Sequence, residues 1–340
     1  MPGEVGIGAV VSFKLKVQVR RKRCELSKVL VTGGAGYVGG YLVDAALAAG
    51  HEVRVYDKLV YEDAYLKNID FVYGDVNDID SLKPHLDWAD TVVWLAAFVG
   101  DPACALNPEL TMETNVGSVK NLVANFSGRI IFPSTCSVYG AQDGLLDEAS
   151  PFDPLSLYAE SKIAAEKVLL AAPNETLIFR LGTLFGLSDT YSRLRVDLVL
   201  NVLTIRAVRE KQMSVFGGQQ FRPLLHVRDV ATAMVPHIDT HATGVYNLHT
   251  ENLTIIELAE RIQEVVPGAV LKITESSFQD ARNYAVSSDK ARNELGFAPK
   301  WTVLDGINEI YNAISQNRIP DVSLPRFSNV AALQGLLGAK

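Results

Sequence analysis

Val29-Leu-Val-Thr-Gly-Gly-Ala-Gly-Tyr-Val-Gly39 is the segment from which the organisation of this chain unfolds. Val29, Leu30 and Val31 read as a buried β-strand, Thr32 and Gly33 turn the chain, and a helical pattern runs from Tyr37 to Ala49, closed by Gly50. Gly33 permits a tight turn, Gly36 lets an anion approach the backbone, and Gly39 lets the helix pack on the strand. The free N–H groups at the start of the helix face the anion. Strand, glycine turn and helix thus form a site for a dinucleotide pyrophosphate, although the glycines alone also suit a tight turn in any α/β protein. The flanking sequence strengthens the reading. Glu52-Val-Arg-Val-Tyr-Asp57 is a second strand, and Asp57 ends it roughly 20 residues beyond the turn, where an acidic side chain binds the ribose 2′-OH of NAD. A 2′-phosphate would meet a carboxylate there, so NAD is favoured over NADP, with Lys58 as a countervailing cation beside the acid.

The chain has 340 residues, enough for two small domains or one elaborated domain. A hydrophobic content of 48% with 21% charged residues is an ordinary globular composition. The net charge of -7 argues against a general affinity for nucleic acid. No apolar run is long enough to span a bilayer, so no membrane partner is expected. Cys24, Cys104 and Cys136 are too few and too scattered for a disulfide framework or a zinc site; no metal is expected, and a reducing, cytoplasmic compartment is the default. In residues 1–27 the apolar stretch precedes the basic cluster ending at Arg23, the reverse of a secretory signal. They read as a loosely held N-terminal extension, in which Val10 to Val19 partly alternates and could add an edge strand.

Strands and helices then alternate. Residues 71–76, 91–97, 129–134 and 176–181 read as the third to sixth strands, and residues 78–86, 110–126 and 157–172 as helices. Continuous apolar strands between amphipathic helices predict a parallel sheet covered on both faces. Right-handed crossovers make it a Rossmann-type doubly wound domain over 28–186. Ligands sit at the carboxyl ends of such strands, where Asp57, Asp75, Ala97 and Thr135 fall. Beyond Gly186 the alternation loosens into helices over 196–211, 230–238, 255–266, 288–295 and 304–314, with residues 216–223 as a loop. A smaller C-terminal substrate-binding lobe over 187–320, partly interleaved with the sheet, is expected to close over the crevice. The end of the chain, including the tail 321–340, shows no clear period and reads as surface-bound or mobile.

Tyr158-Ala-Glu-Ser-Lys162 places a phenol and an ammonium on one helix face. A free tyrosine, with a pKa of roughly 10, is a poor base at neutral pH. A lysine cation one turn away is expected to stabilise the phenolate, so Tyr158 could take a proton from a sugar alcohol as hydride leaves the same carbon. Taken alone, the pair also suits a solvated helix surface.

The glycine turn, Asp57, Asp75-Val76, Leu95-Ala-Ala97, Asn115, Ser134-Thr-Cys-Ser-Val-Tyr-Gly140 and Tyr158-x-x-x-Lys162 follow one another in the order and spacing of a known family. From Lys28 to about Ile314 the sequence resembles the extended short-chain dehydrogenase/reductases, the NAD-dependent epimerase/dehydratase group acting on nucleotide sugars. The resemblance implies that Gly33, Gly36, Tyr37, Val38 and Gly39 hold the pyrophosphate, Asp57 the adenosine ribose, and Asp75 and Val76 the adenine. Ala96 and Ala97 would line the cofactor floor, and Asn115 would support the active-site helix. Thr135, Tyr158 and Lys162 would be the catalytic set, with Lys162 also binding the nicotinamide ribose. Arg222 and Arg282 would hold the substrate diphosphate, for which a guanidinium fork is suited. Either arginine alone also suits a surface ion pair.

Departures narrow the chemistry that the resemblance implies. The family's 4,6-dehydratases follow the threonine with Asp and Glu, where this chain has Cys136 and Ser137, which counts against 4,6-dehydration. The GDP-fucose synthase branch has a cysteine aligned with Ser137 and a downstream histidine; here the cysteine lies one position early, and residues 181–195 contain no histidine. Cys136 reads as a small buried residue. Residues 99–104, 193–198 and 280–287 resemble a bacterial branch that includes 4-dehydrogenases of GDP-heptoses, with Val99, Thr183, Arg195 and Asp197 as sugar-facing candidates. Asp197 reads more naturally as the cap of the helix that follows it. The expected function is therefore an NAD-dependent nucleotide-sugar epimerase working through a transient 4-keto sugar. The alternatives are a net 4-dehydrogenase, a reductase of a keto-sugar, and an NAD-sensing scaffold without catalysis. A homodimer is expected through the helix bearing Tyr158 and the helix before the fifth strand, with Ile163, Ala164, Val168, Leu169, Val116, Val119 and Val123 as candidate contacts.

Overall fold

The strand Lys28–Thr32 (β1) is buried from Val29 to Thr32 in a computed structural model that describes residues 27–274 and 282–338. Six further strands join it: β2 (Glu52–Asp57), β3 (Asp70–Tyr73), β4 (Thr91–Trp94), β5 (Arg129–Thr135), β6 (Thr176–Leu181) and β7 (Gly244–Leu248). All pair in parallel, in the order β7-β6-β5-β4-β1-β2-β3. The order reverses between β1 and β4, which opens a crevice at their carboxyl ends.

The unbroken apolar strands follow from period-two alternation with both faces covered. Val29, Val31, Val55 and Val93 pack against the helices Gly39–Ala48 and Val227–Met234. Leu30, Tyr56, Val92 and Trp94 pack on the other face, against Ile79–Trp88, Ser118–Asn125 and Leu157–Ala171. A separate core joins the helices Val199–Glu210, Ile255–Val265 and Val303–Ser315. The latter two begin at capping boxes, Thr254 with Glu257 and Thr302 with Asp305.

Several elements differ from the sequence expectation. β7 was not expected; it carries the chain back to the edge of the sheet beside β6. The loop expected over 216–223 is confined to residues 217–220, between two strands, Gln212–Phe216 and Phe221–His226, which join small sheets with Val270–Thr274 and with Thr183–Phe185 and Glu251–Thr254. The helix expected over 110–126 is interrupted by one π-helical turn, Glu113–Gly117. Of the two alternatives expected for the tail, the described part is surface-bound: Asn329–Gly338 is a helix in which Asn329 and Leu333 are buried. The N-terminal extension except Ser27, including the candidate edge strand, lies outside the described residues, as does Asp280. Of the candidate dimer contacts, Ile163, Val116, Val119 and Leu169 are consumed in the chain's own core, while Ala164, Val168 and Val123 keep partial exposure.

Candidate active site

The glycine turn is built by close contacts. Gly33 has a φ of +71°, and a Cβ there would stand 2.7 Å from the backbone nitrogen of Ala96, the residue that continues β4 into the crevice. A Cβ on Gly39 would stand 2.3 Å from the Gly34 carbonyl oxygen, so this glycine seats the helix on the turn itself. On Gly36 a Cβ would meet only the Gly33 oxygen at 3.2 Å, leaving its outer side open to the crevice. Asp57 is pinned at the end of β2, accepting from the N–H of Ala35 at 3.0 Å and of Leu59 at 2.7 Å. Burial raises its pKa, and these N–H groups oppose the shift. With the Lys58 N–H also bonded to it, the carboxylate keeps acceptor capacity for a ribose hydroxyl. Lys58 is turned to Asp75, with a 2.5 Å salt bridge, which answers the ambiguity about a 2′-phosphate: the cation beside Asp57 is engaged by another acid.

A single crevice of about 410 Å³ is lined by Gly33, Gly36, Tyr37, Val38, Asp57, Asp75, Val76, Ala96 and Ala97, and also by Val99, Thr135, Tyr158, Lys162, Thr183, Arg195 and Arg282. The candidates from both halves of the sequence therefore converge. Gly39 and Asn115 lie behind its wall. Asn115, on the π-helical turn, accepts from the Phe98 N–H at 2.8 Å and donates to the Phe98 carbonyl and to Ser161 Oγ, tying the loop after β4 to the helix of Tyr158.

Thr135 ends β5. Its hydroxyl accepts from the Ser137 N–H at 3.1 Å, lies 3.1 Å from Ser137 Oγ, and is hydrogen-bonded to the Tyr158 side chain. Ser137 Oγ is in turn 3.2 Å from the Tyr284 hydroxyl. Four hydroxyls thus run in a chain from Tyr158 to Tyr284. Tyr284 was not among the expected site residues; without a sequence motif of its own, only the placement of β-strand Asn283–Val286 against Ala141–Leu146 brings it here.

Lys162 lines the crevice one helical turn from Tyr158. Its ammonium donates to the Pro133 carbonyl at 2.8 Å and lies 4.5 Å from the centre of the Phe132 ring, and burial pushes its pKa down to about 8. Burial raises the Tyr158 pKa, with Cys104 adding to it, while Arg195 and the Thr135 hydrogen bond oppose.

Two expectations change. Asp197 does not cap the helix that follows it; it accepts from Arg195 Nε at 3.0 Å and from the backbone N–H of Asn329 at 3.0 Å, so it caps the tail helix instead. Arg222 is buried away from the crevice wall and donates to the carbonyls of Phe221 and Arg282. Arg282 does line the crevice, paired with Asp101 at 3.1 Å. Cys136 is fully buried, donates to the Arg180 carbonyl at 3.2 Å, and has its thiol pKa raised by burial.

Residues 29–248 match the model of the NAD dependent epimerase/dehydratase family. The chain belongs to this family. It is an enzyme of the NAD-dependent epimerase/dehydratase type with a Rossmann-type α/β fold, and NAD is its cofactor. Among relatives it is 30% identical over 321 residues to a dTDP-glucose 4,6-dehydratase of Streptomyces niveus, covering 86% of this chain and 94% of that one. It is 26% identical over 336 residues to UDP-glucuronic acid decarboxylase 1 of Arabidopsis thaliana, covering 92% and 75%. The solved structure of MoeE5 in complex with UDP-glucuronic acid and NAD is 26% identical with a TM-score of 0.70, covering 83% of this chain and 97% of that one. The geometry fits the family's cofactor: Gly33 and Gly36 leave the backbone open where a pyrophosphate needs approach, and Asp57 offers acceptors where a ribose needs them. No helix among the described residues is long and apolar enough to cross a membrane.

Proposed function

We propose that this enzyme is a nucleotide-sugar 4-epimerase. The observation that carries the reading is the pair after Thr135. Cys136 is buried and turned to the Arg180 carbonyl, and Ser137 is spent on Thr135 and Tyr284, so neither position offers a carboxylate for elimination. Tyr158 is then the one proton-transfer group of the catalytic set. NAD supplies a hydride acceptor that can also return the hydride. Thr135 bonds the reacting sugar oxygen, Tyr158 takes the proton from it and later gives it back, and Lys162 holds the nicotinamide ribose. Arg282 takes one end of the substrate diphosphate. Val99, Thr183 and Arg195 face the sugar. Relatives that act on UDP- and dTDP-sugars support the substrate class. The reading includes a division into a cofactor domain over 28–186 and a substrate lobe over 187–320, with β7 returning to the sheet. It also includes a cytoplasmic homodimer using the partly exposed Ala164, Val168 and Val123.

The test is a panel of UDP-, dTDP-, GDP- and CDP-sugars with NAD, read by absorbance of reduced nicotinamide and by NMR of the sugar. A new C4 epimer without accumulated NADH supports the reading, and Tyr158→Phe should lower its kcat by roughly 10²–10⁴-fold. Stoichiometric NADH with a keto-sugar would establish a net dehydrogenase instead.

A further inference from the structure

The C-terminal segment, which carries no family motif, crosses the crevice. Asn329 is 1% exposed and joins three parts of the wall: its Nδ2 donates to the Val99 carbonyl at 2.7 Å, its Oδ1 accepts from Arg193, and its backbone N–H donates to Asp197. Arg326 pairs with Glu62, and its carbonyl accepts from Arg193 Nη1 at 3.0 Å. The Phe327 carbonyl accepts from the N–H of Val196 at 3.0 Å. Farther along the helix, Leu336 and Leu337 reach the crevice lining.

The positions of these anchors matter. Glu62 lies on the loop that leaves β2 five residues after Asp57, and Val99 lies on the loop that leaves β4 after Ala96 and Ala97. In the sheet β1 stands between β2 and β4. A dinucleotide held by Asp57 at one end and Lys162 at the other must pass over the carboxyl end of β1, across the glycine turn. The segment from Arg326 to Asn329 bridges Glu62 and Val99 over that same line. Ser192, next to Arg193, is tied to the turn itself, donating to the Ala35 carbonyl at 3.2 Å.

We propose that residues 325–338 form a strap across the NAD site, anchored by Asn329 and Arg326, that holds the cofactor in place and must lift for it to exchange. This rests on the NAD site and not on the choice of sugar reaction.

The test is exchange of bound NAD against isotopically labelled NAD, followed by mass spectrometry on the full chain and on variants, with no sugar present. A chain ending at Leu324 should exchange NAD at least about tenfold faster, and Asn329→Ala and Arg326→Ala severalfold faster, since each removes charge-assisted or buried hydrogen bonds. Circular dichroism establishes that each variant is folded; if the shortened chain does not fold, the two point variants carry the test. Exchange at the full-chain rate in the folded shortened chain, or in both point variants, overturns the proposal. Because no sugar is used, the outcome stands whether or not the epimerase reading survives the panel assay.

Discussion

Lys162→Met should make the protein more stable while abolishing its chemistry. The ammonium of Lys162 is 3% exposed and its pKa is pushed from 10.5 down to about 8, chiefly by burial. At pH 7 the folded protein therefore carries a charge in a place that disfavours it, at a cost of about 3 kcal/mol. Methionine removes the charge and nearly matches the chain length, but it gives up the bond to the Pro133 carbonyl, worth about 1 kcal/mol. The net expectation is about 2 kcal/mol of added stability at pH 7, or a few degrees in Tm. The sign reverses the usual salt-bridge case. Between about pH 8 and 10.5 the unfolded chain binds this proton and the folded chain does not, so native stability rises with pH through that window. Urea unfolding of the NAD-free protein and of the variant, at pH 7 and pH 10, should show the stability gap closing as the wild type sheds its proton. A variant no more stable than the wild type at pH 7, or a gap that does not change with pH, would refute the reasoning.

Glu166→Gln leaves Arg180 buried beside a neutral partner in place of a salt bridge of 2.8 Å whose side chains are both almost fully buried; a loss of about 3–5 kcal/mol in urea unfolding is expected. Iodoacetamide should label neither Cys104 nor Cys136 in the native protein at pH 8, because burial pushes the Cys104 thiol up to about 12 and raises that of Cys136. Peptide mass mapping after labelling checks this, and rapid native labelling of Cys136 would show that its site opens.

The Rossmann sheet was legible because its signals are local. Val29 to Gly39 carries strand, turn and helix in eleven consecutive residues, and each apolar strand declares that both its faces are covered. The positions of Thr135 at a strand end and of Tyr158 with Lys162 on one helix face were legible in the sequence, whereas the roles expected of them came from the family resemblance. What was not legible depends on partners distant in sequence. β7 is short and begins at a glycine, and only its pairing with β6 makes it a strand. Asp197 has the sequence position of a cap, yet its carboxylate reaches Asn329, 132 residues on. The direction of the Lys162 ammonium is set by the Pro133 carbonyl, which no motif encodes. The tail has no amphipathic stripe because it packs over a crevice at both ends of its helix, through Asn329 and through Leu336 and Leu337.

An epimerase needs the keto intermediate to present its other face without leaving and without the reduced cofactor escaping. These demands conflict, since the bonds that retain a sugar also fix its orientation. The crevice separates them. On the proposed reading Arg282 is the charged anchor for the diphosphate, and Val99, Leu110, Leu184, Leu198, Leu336 and Leu337 offer apolar contact in the same crevice. Apolar contact is non-directional and lets a sugar turn while its diphosphate stays held. The proposed strap that carries Leu336 and Leu337 is itself held at Asn329 and Arg326 by Val99, Glu62, Arg193 and Asp197. A dehydratase must instead place a carboxylate beside the sugar, and the acid on the loop after β4, Asp101, is committed to Ser156 at 2.7 Å and to Arg282. On the proposed reading, freeing Asp101 would loosen the arginine that holds the substrate, so the same ion pair would withhold an acid that elimination needs.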